Sequence, residues 1–264
     1  MHPVEVRRGD GPIVLGLPHT GTYVPPEIRT RLNARGRALA DTDWNIHKLY
    51  DGVLEGATTV RATFHRYVID ANRDPSGQSL YPGQNTTGLV PLTDFDGAPI
   101  WEVPPSGGEV EHRRETWHAP YHAALRKELD RVRRQHGVAV LYDCHSIRSH
   151  IPFLFEGRLP DFNIGTNGGT SCAPGITAAV EAVCRAARGY TSVTDGRFKG
   201  GWTTRHYGQP ETGLHTIQME LAQSTYMEEA PPWPYLHERA EALRTHLADI
   251  LQRIARLALQ GALA

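Results

Sequence analysis

Two short apolar stretches each deliver a histidine. Val138-Ala139-Val140-Leu141 runs on into Tyr142-Asp143-Cys144-His145-Ser146, and Ile13-Val14-Leu15-Gly16-Leu17 runs on into Pro18-His19-Thr20-Gly21-Thr22. Each apolar run reads as a strand buried on both faces. In open α/β sheets ligands collect in the crevice beyond the carboxyl ends of the strands. His145, just past a carboxylate and a thiol, is therefore suited to metal or proton chemistry, although a capped core histidine leaves the same trace. Two such histidines on two strands of one sheet can converge in one crevice, and that favours a metal site over two unrelated core residues.

Other groups could complete such a site. Asp43, in Asp41-Thr42-Asp43-Trp44, reads either as a first-turn carboxylate facing a helix dipole or as a ligand presented beside His19. The Asn72-Arg73 pair leaves a short apolar run, Tyr67 to Asp70. A guanidinium fork with a neighbouring amide suits a substrate carboxylate, while the plainer reading pairs Arg73 with Asp70 or Asp74. Glu220 shares a strand face with Gln218 in Leu214 to Leu221, where it is either a general base or a paired surface glutamate. Together these are three ligands with an open position, a base and a carboxylate-binding arm.

The elements that must hold these groups are legible as alternating strands and helices. Further strands are expected at residues 57–64 and 67–70. Asp41 is the expected N-cap of a helix carrying Trp44, Leu49 and Val53. Helices are also expected at 109–136, 176–188 and 236–259, where apolar residues recur at helical spacing. His47 is expected to face solvent, and His118, His122 and His136 to be structural or solvent-facing. Residues 75–108 read as one long Gly/Pro-rich loop of the kind that covers or binds ligands, and residues 200–208 as a second loop carrying Arg205, His206 and Tyr207.

The 264 residues suffice for one large α/β domain, and nothing in their composition divides them. A formal net charge of -1 with mixed signs gives no basic stripe for nucleic acid and no polybasic or membrane-spanning segment. Three cysteines, Cys144, Cys172 and Cys184, have neither disulfide nor zinc-knuckle spacing. The N-terminus does not read as a signal peptide, so a cytoplasmic protein acting on a small molecule is expected.

Over nearly its whole length the chain resembles the N-formylglutamate amidohydrolases, the N-formylglutamate deformylases of histidine degradation. The resemblance is carried by residues 18–25, by Asp41-Thr42-Asp43-Trp44, by Asp70-Ala71-Asn72-Arg73-Asp74-Pro75 and by residues 80–88. It continues through Asp143-Cys144-His145-Ser146, residues 162–169, Thr203-Thr204-Arg205-His206-Tyr207-Gly208 and Gln218-Met219-Glu220-Leu221. It implies a single catalytic domain over residues 1–264 with a fold like the zinc carboxypeptidases, a three-layer α/β/α arrangement with a mixed, mostly parallel sheet. In that wider group a His-x-x-Glu pair and a distant histidine bind zinc. Here Thr22 stands where that glutamate would be, so the carboxylate ligand comes from elsewhere: Asp43, with Asp41 in reserve.

The resemblance thus implies Zn²⁺ on His19, Asp43 and His145 and Glu220 as general base. Asn72 and Arg73 would bind one carboxylate of N-formyl-L-glutamate. Arg205, with Tyr207 beside it, would meet the other carboxylate or the developing oxyanion. Rival readings are a zinc hydrolase of another N-acyl amino acid or small peptide, and a non-catalytic binding protein on the same fold. A cysteine hydrolase using Cys144 with His145 is disfavoured, because adjacent strand residues point to opposite faces.

Overall fold

The computed structural model describes residues 1–79 and 83–263. Leu80, Tyr81 and Pro82, part of one resemblance string, lie outside the described residues. Seven strands form one sheet: β1 (Val4–Arg7), β2 (Ile13–Leu17), β3 (Thr58–Ala62), β4 (Ala139–Ile147), β5 (Phe162–Gly165), β6 (Ser192–Thr194) and β7 (Leu214–Ala222). Among the described residues eight α-helices accompany them: α1 (Pro26–Arg29), α2 (Ala34–Arg37), α3 (Ile46–Tyr50), α4 (Gly107–Arg113), α5 (Ala119–His136), α6 (Pro174–Ala186), α7 (Trp202–Tyr207) and α8 (His237–Leu259). None of the described helices is long and apolar enough to cross a membrane.

The strand order is β1-β3-β2-β4-β7-β5-β6. The central run β3-β2-β4-β7 is parallel, β1 and β5 join it antiparallel, and β6 runs parallel to β5. The expected mixed, mostly parallel sheet is thus observed. Strand periodicity sorts its side chains into two cores. Val140, Tyr142 and Cys144 of β4 pack with Ile217, Met219 and Leu221 of β7 against α3, α6 and α8. Ala139 and Leu141 face the other way, with Val60 of β3, against Tyr121, Leu125 and Leu129 of α5. Three layers result because a sheet buried on both faces needs helices on both.

The same alternation aims the polar groups. Asp143 and His145 continue the α5-facing series of β4, and Gln218 and Glu220 continue that of β7. In the parallel register Asp143 lies beside Gln218 and His145 beside Glu220. Cys144 points into the opposite apolar core, where burial drives its thiol pKa well up. It cannot share a face with His145, which disposes of the cysteine-nucleophile reading.

Several local expectations are corrected. Residues 67–70 are not a strand. His65 to Asp70 form a turn, with the Val68 N–H bonded to the His65 carbonyl and the Tyr67 N–H to the His65 ring. Asp41 caps no helix, since α3 begins only after Asn45, a residue at φ 60°. Its carboxylate instead accepts the Tyr67 hydroxyl at 2.8 Å and the Phe95 N–H at 2.9 Å. Residues 202–207 are a helix rather than a loop, because the Asn72 side chain accepts the Thr203 N–H at 2.9 Å. That cap comes from 131 residues away, so local sequence gives no sign of it. The helix expected at 109–136 is present, interrupted by one π turn at Arg114–His118.

The turn after His19 is held by close backbone approach. The Tyr23 N–H bonds to the Thr63 carbonyl at 3.1 Å and the His65 N–H to the Tyr23 carbonyl at 2.9 Å. A Cβ on Gly21 would collide with the backbone of Thr63 and Phe64. Gly21→Ala is therefore expected to destabilise the protein by about 2 kcal/mol or more, measured by equilibrium denaturation, with an unchanged midpoint counting against this account.

Candidate metal centre and active-site cleft

The ends of β2 and β4 bring His19 and His145 together, and a backbone bond from the Asp43 N–H to the His19 carbonyl, at 3.1 Å, places Asp43 beside them. Nδ1 of His19 lies 3.2 Å from Nδ1 of His145, and Asp43 Oδ2 lies 3.8 Å and 3.4 Å from these two nitrogens. Among the described residues this trio is the group placed to hold a metal ion. Asp41, the reserve carboxylate, is committed to Tyr67 and Phe95.

The far atom of each group is held in turn. Nε2 of His19 donates to Asp70 Oδ1 at 2.6 Å, and Nε2 of His145 lies 3.1 Å from Asp143 Oδ2. Arg66 donates to Asp43 Oδ1 at 2.7 Å and lies over the Phe95 ring at 4.9 Å. Outer-atom contacts of this kind set which nitrogen of each imidazole keeps its lone pair and so orient a metal ligand. A tetrahedral Zn²⁺ with ligands at its usual bond lengths separates them by about 3.3 Å, and the three distances scatter around that value.

Electrostatics agree with the geometry. Asp41, Asp43, Asp70 and Glu220 are all buried around one buried guanidinium, that of Arg66. Burial opposes charge on Asp70, yet His19, Arg73 and Arg66 hold its pKa well below the usual range. Asp43 is lowered too, against burial, chiefly by Arg66 and His145. His145 is pushed well above the ordinary histidine value by Asp143 and Asp43 despite its burial, whereas burial and Arg66 lower His19. Glu220, 7% exposed, is raised, first by burial and then by the neighbouring Asp43. Crowded buried carboxylates around outward-braced imidazoles are a donor set that calls for a cation.

His19 and His145 of the trio open on a cleft whose walls include Glu220, Arg66, Asn72, Arg73, Arg197 and Phe198. Gln218 Nε2 donates to Glu220 at 3.4 Å, and the Gln218 carbonyl oxygen accepts the Gly201 N–H at 2.8 Å. Arg73 is braced by the Thr87 carbonyl at 2.9 Å and the Thr87 hydroxyl at 3.0 Å. Asn72 reaches the cleft with its amide nitrogen 3.1 Å from His145 Nε2. Two residues expected at the substrate are not among those lining this cleft. Tyr207 is buried in the α5-side core, its hydroxyl donating to the His122 carbonyl at 3.2 Å. Arg205 lines a neighbouring depression, with Nε donating to the Gly200 carbonyl.

His118 and His122 are structural, as expected, and buried. Their Nε2 atoms donate to the carbonyls of Arg73 (3.1 Å) and Ala71 (2.7 Å), fixing the backbone on both sides of Asn72. Sequence reasoning missed Arg66 and Arg197, and it saw Asp70 and Asp143 without their histidine partners. A buried arginine flanked by apolar residues in His65-Arg66-Tyr67-Val68-Ile69-Asp70 was the available signal, since such a charge must be paired.

With the geometry established, comparison with known proteins is direct. A model of the N-formylglutamate amidohydrolase family matches residues 11–227. The chain belongs to that family. It is an enzyme of the amidohydrolase class. It is 48% identical over 255 residues to an N-formylglutamate deformylase of Pseudomonas aeruginosa and 47% identical over 254 residues to one of Pseudomonas putida, with 95% of each chain covered in both cases. An N-formylglutamate amidohydrolase from Ralstonia eutropha JMP134 of known structure aligns over 99% of this chain and 100% of its own, with TM-score 0.82 and 28% identity. A gene product of Agrobacterium tumefaciens shares the fold at TM-score 0.74 and 17% identity, covering 97% and 96%.

One expectation near the site is corrected. His47 is half-buried rather than solvent-facing and accepts the Thr20 hydroxyl at 2.6 Å, next to His19. Burial, with Arg61 and Lys48, lowers its pKa to about 4. The unfolded chain takes up this proton near the ordinary value of about 6.5, so His47 contributes stability fully above that pH and loses it as pH falls toward 4. Relative to His47→Gln, the protein is expected to lose about 1 kcal/mol across that window, the partial exposure of the ring allowed for, in denaturant titrations at a series of pH values. Parallel stability curves would contradict it.

Proposed function

We propose that the protein hydrolyses the formamide bond of N-formyl-L-glutamate to formate and L-glutamate, as a metal-dependent deformylase closing a route of histidine breakdown. The observation that carries this reading is the trio His19, Asp43 and His145, with Nδ1, Oδ2 and Nδ1 turned to one point on the floor of a cleft that Glu220 overlooks. The names of three of the relatives, two N-formylglutamate deformylases and one N-formylglutamate amidohydrolase, supply the substrate.

The trio is suited to Zn²⁺, which when bound would polarise the formyl oxygen and acidify a water toward neutral pH. The rest belongs to the chain. Asp70, Asp143 and Arg66 orient the three ligands through their outer atoms. Glu220 takes the proton of the attacking water and delivers it to the departing amine nitrogen, so the C–N bond breaks to neutral amine rather than to an amide anion. Burial that raises the Glu220 pKa also makes its carboxylate a stronger base. Arg73, stiffened by Thr87 and flanked by Asn72, holds one substrate carboxylate. The single domain over residues 1–264 belongs to the same reading.

Formate release from N-formyl-L-glutamate by metal-stripped protein is expected to be restored by added Zn²⁺, with N-acetylglutamate and N-formylaspartate as poorer substrates. Full turnover without metal would sink the mechanism, and preference for the acetyl compound would overturn the specificity. Glu220→Gln is expected to lose about 10²- to 10⁴-fold in kcat while binding one Zn²⁺ per chain. Near-normal turnover in that variant would remove Glu220 from its role.

A further inference from the structure

The proposed substrate carries two carboxylates, and Arg73 accounts for one. Of the two other arginines on the cleft wall, Arg66 is committed to Asp43. The remaining one is Arg197, on the segment that follows β6. We propose that Arg197 recognises the second, side-chain carboxylate and so makes the enzyme selective for acidic N-formyl amino acids. This rests on the deformylase reading above and extends it.

Spacing supports the assignment. Arg73 Nε donates to the Thr87 carbonyl at 2.9 Å, and one Arg197 guanidinium nitrogen donates to the Asn85 carbonyl at 2.9 Å. Both arginines are thus braced by one short stretch, at carbonyls two residues apart, and two residues of chain span at most about 7 Å. Both guanidinium groups so tethered line the same cleft, one for each end of a five-carbon diacid. Arg197 is also fixed in direction: Nε donates to the Leu154 carbonyl at 2.9 Å, and the guanidinium lies 5.4 Å from the centre of the Phe198 ring. These contacts fix the direction of the group, so less ordering remains to be done on binding.

The surroundings have the matching sign. Arg197, Asn85 and Leu154 line both the cleft and the depression beside it, where Lys199 and Arg205 are two more basic residues and no carboxylate is among the described lining residues. A dianion approaching the cleft from this side meets three positive groups before it reaches Glu220. An uncharged isostere gains nothing from them, and it leaves Arg197 desolvated against a neutral amide.

The test compares N-formyl-L-glutamate with N-formyl-L-glutamine in the zinc-loaded protein, using Arg197→Ala and Arg197→Lys. In Arg197→Ala, KM for the glutamate substrate is expected to rise about 100-fold, while kcat/KM for the glutamine substrate stays within about threefold, so selectivity collapses. Arg197→Lys, which keeps the charge but not the fork, is expected to fall between. Thermal unfolding and bound zinc are read for each variant and are expected to match the unaltered protein. Equal losses on both substrates, or unchanged selectivity in Arg197→Ala, would overturn the role of Arg197 while leaving the deformylase reading standing. No formate release from the unaltered protein would overturn the reading itself and this proposal with it.

Discussion

Everything in the cleft depends on holding three electron-rich atoms toward one point. Two imidazole nitrogens and a carboxylate oxygen within 3.2 to 3.8 Å repel one another unless a cation or protons lie between them. The chain imposes the arrangement by gripping each group from behind: Asp70 on His19, Asp143 on His145, Arg66 on Asp43. Leaving such charges buried without compensation costs several kcal/mol, so the fold has to provide stability elsewhere in order to keep them there. Asp143 and Asp43, which push the His145 pKa up, set a field at this point that favours positive charge.

That stability comes from the sheet. β4 and β7 are buried along their full length, with nine residues each in register, and their odd–even alternation separates packing from chemistry. One face of β4 sends Val140, Tyr142 and Cys144 into the α8-side core. The other carries Asp143 and His145 beside Gln218 and Glu220. A one-residue slip of β7 against β4 would leave both cores poorly filled and move Glu220 off the cleft, so core packing and base placement enforce a single register.

This division explains what could be read from the sequence. Apolar runs with polar ends announced β2 and β4 with their histidines, and alternation announced β7 with its glutamate, because strand burial and strand-end chemistry are local patterns. Asp43 emerged by elimination, and its neighbour relation to His19 is visible only as a backbone bond between two loops. Arg66 escaped notice for the same reason: its meaning lies in Asp43 and Phe95, 23 and 29 positions away. Helix α7 looked like a loop because its cap is a side chain distant in sequence, and Tyr207 looked like a substrate residue because a polar aromatic beside Arg205 and His206 gives no hint that it is buried under α5. Where partners are local the pattern can be read, and where the fold supplies the partner it cannot.

The long helix on the cleft side shows how far from the chemistry such partners can sit. A π turn at residues 114–118 adds a residue to the helical path just before His118, which shifts the face that follows it. His118 and His122, one turn apart, then both reach the backbone of the Ala71–Arg73 stretch, and their rings pack against each other at 4.4 Å and against Trp202. Asn72, which touches His145, and Arg73, on the cleft wall, issue from that clamped stretch, and Asp70, which orients His19, immediately precedes it. Burial lowers the pKa of both imidazoles, which favours the neutral ring offering one N–H. Two histidines that touch neither the metal centre nor the cleft floor therefore connect ligand orientation and substrate grip through one rigid segment of backbone.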